Sequence, residues 1–435
     1  MSLALFEGPA GSGKTTQLVA EVKRILAASP LIPGQRVLAL TKMHGSRRRM
    51  DAKLDLEIRP AKADCQTIDG FALHLNRRWR DLAESTSSTR LPDELDFKGQ
   101  SELAGQLLAL DVVATWVART YPIVVVDELQ DSKDGQIRIL EGLSRATRCV
   151  CAADEFQDLT GDAGSNASAW ARGRCTPVIL TGSHRTTVNG ILDAADALRS
   201  SPPGSLVVAK GFRMSAVASA AQAGAYLSWE ITSARSEGCT SAVVLTPTSK
   251  EKSAFVRDAV EWVRTKTATS SKGSSTSGPF KIEWESGAHS EVEELVALLK
   301  LTADAETQVN VRELEVAARS VGAGDVAAGL QRRRTLTGSE TIGSAEGYRL
   351  VDRALSMRRS FGVTRSSRLS AMTVHQAKNR EFDAVVVLWP RKIRKDPEMQ
   401  RRLLYNAITR ARRRVLVLLE DSKRERIIAP PFVAP

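Results

Sequence analysis

The chain has 435 residues, 42% of them hydrophobic, with a net charge of +12 and an isoelectric point near 9.6. That length exceeds one typical core and sets an expectation of two or three domains, while no apolar run is long enough to span a bilayer. The opening residues do not read as a secretory leader, and five cysteines without a C-x-x-C pair read as reduced thiols of a cytoplasmic protein, not disulfides or zinc ligands.

Leu3-Ala4-Leu5-Phe6 has the length and character of a buried strand, and Leu18, Val19, Val22, Ile25 and Leu26 recur at helical spacing. Between them GPAGSGKTTQ, Gly8 to Gln17, fits G-x-x-x-x-G-K-[ST]. Strand, glycine turn and helix together aim backbone N–H groups and a helix N-terminus at phosphates. Gly8, Gly11, Ser12, Gly13, Lys14, Thr15 and Thr16 are the expected contacts to a nucleoside triphosphate. Lys14 would reach the β- and γ-phosphates, and Thr15 would offer a hydroxyl to Mg²⁺.

Val37–Leu40, Ile123–Val126 and Cys149–Ala153 are short and apolar, as in a parallel sheet covered on both faces. Charged, helical sequence interrupts them from Leu75 to Arg119, itself broken by the Ser/Thr-rich Glu84–Thr89. A second alternating block is expected to open near Val178–Leu180 and to include Ala242–Leu245. It breaks at ATSSKGSSTSG, Ala268–Gly278, which has the composition of a flexible loop, and resumes with Leu369–Thr373, Ala384–Leu388 and Val415–Leu419. The expected organisation is α/β. A first domain spans 1–177 with a small helical insertion at about 75–119; a second spans 178–435 with an insertion at about 268–368.

VVVDELQD, Val124 to Asp131, puts two acids at the end of an apolar strand. Asp127 suits Mg²⁺, and Glu128 suits the orientation and deprotonation of an attacking water. A kinase needs no such glutamate, because its acceptor is a substrate hydroxyl. The basic residues cluster at Arg47–Arg49, Arg77–Arg80, Arg332–Arg334, Arg391–Lys395 and Arg410–Arg414. Such runs suit a polyphosphate backbone, although a solvated basic surface carries them too, and no basic amphipathic helix points to a membrane.

D-E-x-Q-D is similar to motif II of the UvrD/Rep/PcrA helicases, the superfamily 1A motors that move 3′→5′ on single-stranded DNA. AADEFQD (Ala152–Asp158) resembles their motif III, with Gln157 in the place of the γ-phosphate sensor. LTGSHRT (Leu180–Thr186) resembles motif IV, with Arg185 as first arginine finger. TVHQAKNREFD (Thr373–Asp383) resembles T-x-H-x-x-K-G-L-E-F, which implies nucleic-acid contacts at His375, Lys378 and Arg380 and a nucleotide-ribose contact at Glu381. RRLLYNAITRA (Arg401–Ala411) is close to R-R-L-x-Y-V-A-x-T-R-A, with Arg410 as second finger. TKMHGSRRRM (Thr41–Met50) and TIDGFA (Thr67–Ala72) match motifs Ia and Ib more loosely, placing Thr41 and Phe71 on the nucleic acid.

The resemblance implies two RecA-like domains, each with a reduced, mainly helical insertion. It implies ATP and Mg²⁺ as ligands, with Lys14, Glu128, Gln157, Arg185 and Arg410 carrying hydrolysis. A translocase or helicase on single-stranded DNA is the leading expectation, with RNA left open. The alternative is a DNA-activated ATPase that switches or loads a partner, such as a nuclease in repair or phage defence. A small-molecule kinase leaves the paired arginines and Gln157 unexplained.

Departures from the family pattern bear on that choice. Only seven residues precede Gly8, so the family's adenine-reading glutamine is expected to be absent or replaced. Where the family stacks bases on aromatic residues, this chain reads Asp158-Leu159-Thr160-Gly161, and Asn379-Arg380 replaces Gly-Leu. Each stacked base contributes roughly 1–3 kcal/mol, so the grip on single strands is expected to be weaker. Phe71 is the remaining candidate stacker; Trp79 and Trp170 could substitute but read more readily as core.

Overall fold

The computed structural model describes residues 3–42, 44–86, 97–159, 166–271, 273–285, 292, 295–301, 307–361, 369–393, 395–423, 425 and 431–432. They form two compact units, Met1–Ile282 with Thr373–Pro435, and Glu283–Met372.

The first sheet of the larger unit comprises β1 (Leu3–Glu7), β2 (Val37–Thr41), β3 (Ala63–Thr67), β4 (Ile123–Val126), β5 (Arg148–Ala153) and β6 (Val178–Ile179). Its order is β3-β2-β4-β5-β1-β6, and every pairing is parallel. Parallel strands must be covered on both faces, and alternate residues meet the two layers. Leu38 and Leu40 of β2 join Phe71, Leu103 and Leu140 on one side, whereas Val37 and Ala39 join Leu18, Val22 and Leu54 on the other. Between β3 and β4 the described residues include the helices Ile68–Arg78, Arg80–Thr86, Phe97–Leu107 and Asp111–Thr120.

Val178–Leu180 does not open the second block. Val178 and Ile179 pair with Phe6 and Glu7 at the edge of the first sheet, with both side chains exposed. The apolar dipeptide is an edge strand, which is why its hydrophobicity misplaces the boundary.

The second lobe of this unit takes up the chain after β6, with Arg185 and Thr186 bonded to the Thr409 and Arg412 carbonyls, and its first strands are β7 (Phe212–Val217) and β8 (Ala242–Thr246). The Ser/Gly-rich stretch is not simply a loop: β9 (Ala268–Thr269) and β10 (Thr276–Ser277) pair antiparallel. Ser277 is buried there, with its hydroxyl donating to the Ser228 carbonyl.

The smaller unit holds β11 (Glu283–Trp284), β12 (Gln308–Asn310), β13 (Thr341–Gly343) and β14 (Leu369–Thr373), the last extending one residue past the unit's end. β11 pairs parallel with β14, and β12 pairs antiparallel with β13. Asn310 caps the helix Val311–Ser320 by accepting the N–H groups of Arg312 and Glu313. Val311, Leu314, Val326, Leu330, Ile342 and Val351 give this unit its own core. Its basic run is largely neutralised, since Arg333 pairs with Glu346 and Arg334 with Glu315.

The chain returns to the larger unit as β15 (Phe382–Trp389) and β16 (Ala411–Glu420), and within that unit β8, β15, β16 and β7 lie side by side in that order, all parallel. The carboxyl ends of β1, β4 and β5 carry the phosphate loop and both acidic motifs. Glu381 and Arg410 immediately precede β15 and β16 at their amino ends.

Candidate active site

A side chain at Gly8 would meet the Leu180 carbonyl at 2.7 Å, while Gly11 and Gly13 hold φ of +80° and +83°. The turn after β1 therefore requires glycine at these positions. Lys14 Nζ donates to the carbonyls of Gly8 at 2.8 Å and Pro9 at 2.9 Å, and lies 3.7 Å from Asp154. Thr15 Oγ1 donates to Asp127 Oδ2 at 3.1 Å. Ser12 Oγ is buried and has no hydrogen-bond partner among the described residues. Thr16 accepts from Lys53 Nζ at 2.8 Å. An ammonium folded onto its own loop, an orphan hydroxyl and a hydroxyl–carboxylate pair form a donor set that fits a triphosphate with Mg²⁺.

Asp127 and Glu128 follow β4. Glu128 sits at φ +58°, a left-handed conformation that is strained for a residue with a side chain. Its Oε2 accepts from Gln130 Nε2 at 2.6 Å, and Gln130 Oε1 accepts the Asp154 N–H at 3.0 Å. Burial, then the Glu128 charge, pushes Asp127 up to about 6. Burial opposes ionisation of Glu128 too, but Lys378 and Lys14 outweigh it and hold its carboxyl below the ordinary range. The two neighbouring acids are thus separated in acidity, Asp127 raised and Glu128 lowered.

The second lobe reaches this site directly. Arg410 is 1% exposed, donates to the Asn406 carbonyl at 3.1 Å, and donates to Gln157 Oε1 at 3.0 Å. Burial, then the like charge of Arg185, lowers its pKa to about 10, so it stays cationic at neutral pH. Gln157 Nε2 donates to Asp154 Oδ2 at 2.7 Å, which links Arg410 to the carboxylate facing Lys14. Arg185 donates to Glu381 at 2.8 Å and to the Thr409 carbonyl at 2.7 Å. Arg412 also pairs with Glu381, at 3.0 Å. The residues read from sequence as phosphate contacts, acids and arginine fingers are therefore gathered around one loop.

The residues expected on nucleic acid are placed less uniformly. Phe71 must be corrected. Thr67 caps the helix Ile68–Arg78 by accepting the Gly70 N–H, and Phe71 on that helix falls beside Ile68, Ala72 and Leu75 in the core with 0% exposure. It presents no face to a base. Lys378, expected on nucleic acid, pairs through its Nζ with Asp131 at 2.5 Å and donates to the Gln157 carbonyl at 3.2 Å. Thr41 is buried, His375 is exposed, and the Arg380 guanidinium lies 5.3 Å from the Phe382 ring centroid. Trp79 meets Trp116 edge-on at 6.3 Å, and both Trp79 and Trp170 pack against the first core. Thr160 and Gly161, and Arg394 in its basic run, lie outside the described residues.

Sequence reading missed the centre of the network. Asp154 binds Arg199 at 2.6 Å besides its contacts to Lys14 and Gln157, and Tyr405 Oη lies 3.4 Å from it. Arg199 ends an otherwise ordinary amphipathic helix, Asn189–Arg199, and no local signal marks it. Arg49 also lies in the field of Asp127, Glu128, Glu381 and Arg185, although in sequence it is one arginine of a basic run.

Residues 1–161 match the model of an AAA domain, and residues 368–418 match that of the UvrD-like helicase C-terminal domain. Among solved structures the chain is similar to the Arterivirus nonstructural protein 10 helicase, at 12% identity and a TM-score of 0.40, covering 97% of this chain and 60% of that one. The same helicase in complex with DNA gives 11% identity, a TM-score of 0.38 and coverage of 97% and 62%. The chain thus spans about 60% of the length of these helicases. No curated protein matches. With one domain match over the phosphate loop and the other over the last helicase motifs, and a parallel sheet beneath each, the two matches support a UvrD-like helicase of superfamily 1.

Proposed function

We propose that this chain is a Mg²⁺-dependent ATPase that translocates along single-stranded DNA in the 3′→5′ direction. The observation that carries the reading is the Arg410–Gln157 bond, which brings a buried cation of one lobe to the phosphate side of the other. A phosphate loop alone has nothing to move against. Arginines given by a second lobe make closure depend on the nucleotide, and repeated closure around a strand is a stepping cycle.

Lys14 exchanges its loop carbonyls for β- and γ-phosphate oxygens. Mg²⁺, which Thr15 and Asp127 would hold, supplies charge neutralisation at the phosphates. Glu128, kept ionised and held by Gln130, accepts a proton from the attacking water. Arg185 and Arg410 then neutralise charge on the transferring phosphoryl group, and Glu381 turns from Arg185 to the ribose.

Arg185→Ala and Arg410→Ala are each expected to lower turnover by about 10³-fold while changing ATP affinity far less, because arginine fingers act on the transition state. The double variant should lose less than the product of the two, since both act on one phosphate. Single-turnover hydrolysis with equilibrium nucleotide binding checks both statements. An unchanged rate in either variant removes that arginine from the site.

The burial of Phe71 favours a second reading, in which the ATPase switches or loads a partner protein and unwinds little. ATPase rates with single-stranded DNA, double-stranded DNA and RNA, measured side by side, test the substrate class. The translocase reading expects the largest stimulation from single-stranded DNA, and equal stimulation by all three overturns it.

A further inference from the structure

We infer that Tyr405 is a positioning residue that indexes the second lobe on the phosphate loop and thereby sets Arg410 for hydrolysis, an inference that rests on the ATPase reading above. Tyr405 lies on the helix Pro397–Ile408, just ahead of Arg410, and is fully buried. Its hydroxyl accepts the backbone N–H of Ala10, inside the phosphate loop, at 2.8 Å. Arg199 Nη1 donates to the same oxygen at 3.3 Å, and the hydroxyl proton is directed at Asp154 Oδ2, 3.4 Å away. A phenol has one donor and two acceptor sites, so this one is saturated.

The ring is fixed independently of the hydroxyl. It stands edge-on to Phe156, with centroids 5.0 Å apart and an interplanar angle of 88°. Arg199 and Arg401 lie 5.4 Å and 5.1 Å from the Phe156 centroid. Besides the Arg199 ion pair, two ties therefore run from Asp154 into the second lobe. One passes through Gln157 to Arg410, and the other runs through the Tyr405 hydroxyl, which also reaches the loop at Ala10. Arg410 is thus placed from both sides, relative to Gln157 and relative to the loop that holds the phosphates. Transition-state stabilisation by a fixed cation depends steeply on its position, so an anchor that touches no reacting atom can still govern the rate.

Tyr405→Phe keeps the ring on Phe156 and removes only the hydroxyl. It is expected to lower kcat about tenfold, the scale of one buried hydrogen bond expressed in the barrier. The KM for ATP and the affinity for a non-hydrolysable analogue should change less than about twofold, since uniform binding is untouched. Arg199→Gln, which removes the cation holding the hydroxyl, should shift kcat in the same direction. Combined with Arg410→Lys, Tyr405→Phe should cost little more than Arg410→Lys alone, because both act through one guanidinium. A purely structural role would instead lower the melting temperature and multiply with Arg410→Lys. That result, or a wild-type kcat in Tyr405→Phe, or a loss confined to KM, overturns the inference. Lys14→Ala run in parallel separates the failures: if it too retains turnover, the ATPase reading falls first; if it is inactive, only the role of Tyr405 falls.

Discussion

Glu128→Gln is expected to bind ATP as well as the wild type and to hydrolyse it about 10²- to 10⁴-fold more slowly, the range for loss of a positioned base. The amide has the carboxylate's shape and can still accept the hydrogen bond from Gln130, so the local geometry is retained. What is lost is a proton acceptor that Lys378 and Lys14 keep ionised against burial. The proposed Mg²⁺ site at Thr15 and Asp127 should not be weakened by the change. Asp127 is raised to about 6 by burial and by the Glu128 charge, and removing that charge lowers it. In the wild type, acidification towards about 6 should therefore raise the Mg²⁺ concentration needed for half-maximal turnover; in Glu128→Gln that rise should begin at lower pH. Steady-state ATPase with equilibrium nucleotide binding makes the check, and near-wild-type turnover in Glu128→Gln would reassign the base.

Lys14→Ala is expected to fail one step earlier. Its ammonium is the one phosphate-loop cation, it is buried, and it now satisfies two loop carbonyls and faces Asp154. Without it the triphosphate loses a charge-assisted partner, and turnover should fall by about 10²–10³, as when a preorganised donor is removed from an active site. ATP affinity should fall as well, which distinguishes this variant from Glu128→Gln. Asp154 is held below the ordinary carboxylate range, against burial, by Lys14 and Arg199, so Arg199 remains to compensate it and the fold should survive. Loss of nucleotide binding with an unchanged melting temperature is the expected pair of results. Retained binding would move the phosphate site elsewhere.

The legible parts of the sequence were those in which local chemistry and geometry coincide. Ile123–Val126 reads as a buried strand because both its faces are covered, and it is one. Of the strands that escaped, β3 with ADCQT and β7 with FRMSAV lie at the ends of their strand orders, where polar residues are tolerated and the apolar signal fades. β6 fails in the opposite sense, since two exposed apolar residues at an edge resemble the start of a new core.

The site follows the same division. Lys14, Thr15, Asp127 and Glu128 are visible because a loop or a strand end fixes them within a few residues of their motif. Asp154, Arg199 and Tyr405 meet only through tertiary packing, across sequence separations of 45 to 251 residues. Phe71 shows the limit of motif transfer. A loosely matched aromatic was expected on a base, but the capped helix that carries it turns the ring into the core. Lys378, expected on nucleic acid, also joins Asp131, which burial raises to about 6 against that ion pair, a partner the motif did not show.

Conversion of hydrolysis into movement is tested most directly by ATP turnover at saturating single-stranded DNA as a function of strand length. A stationary switch is fully activated once one site is filled, so its turnover does not depend on length. A translocase spends part of each encounter at strand ends, so its turnover rises with length and then levels off. The two lobes joined through Arg410 and Gln157 lead us to expect the rising curve. A flat dependence on length, with stimulation already complete on the shortest strand that binds, would contradict translocation and leave the switch.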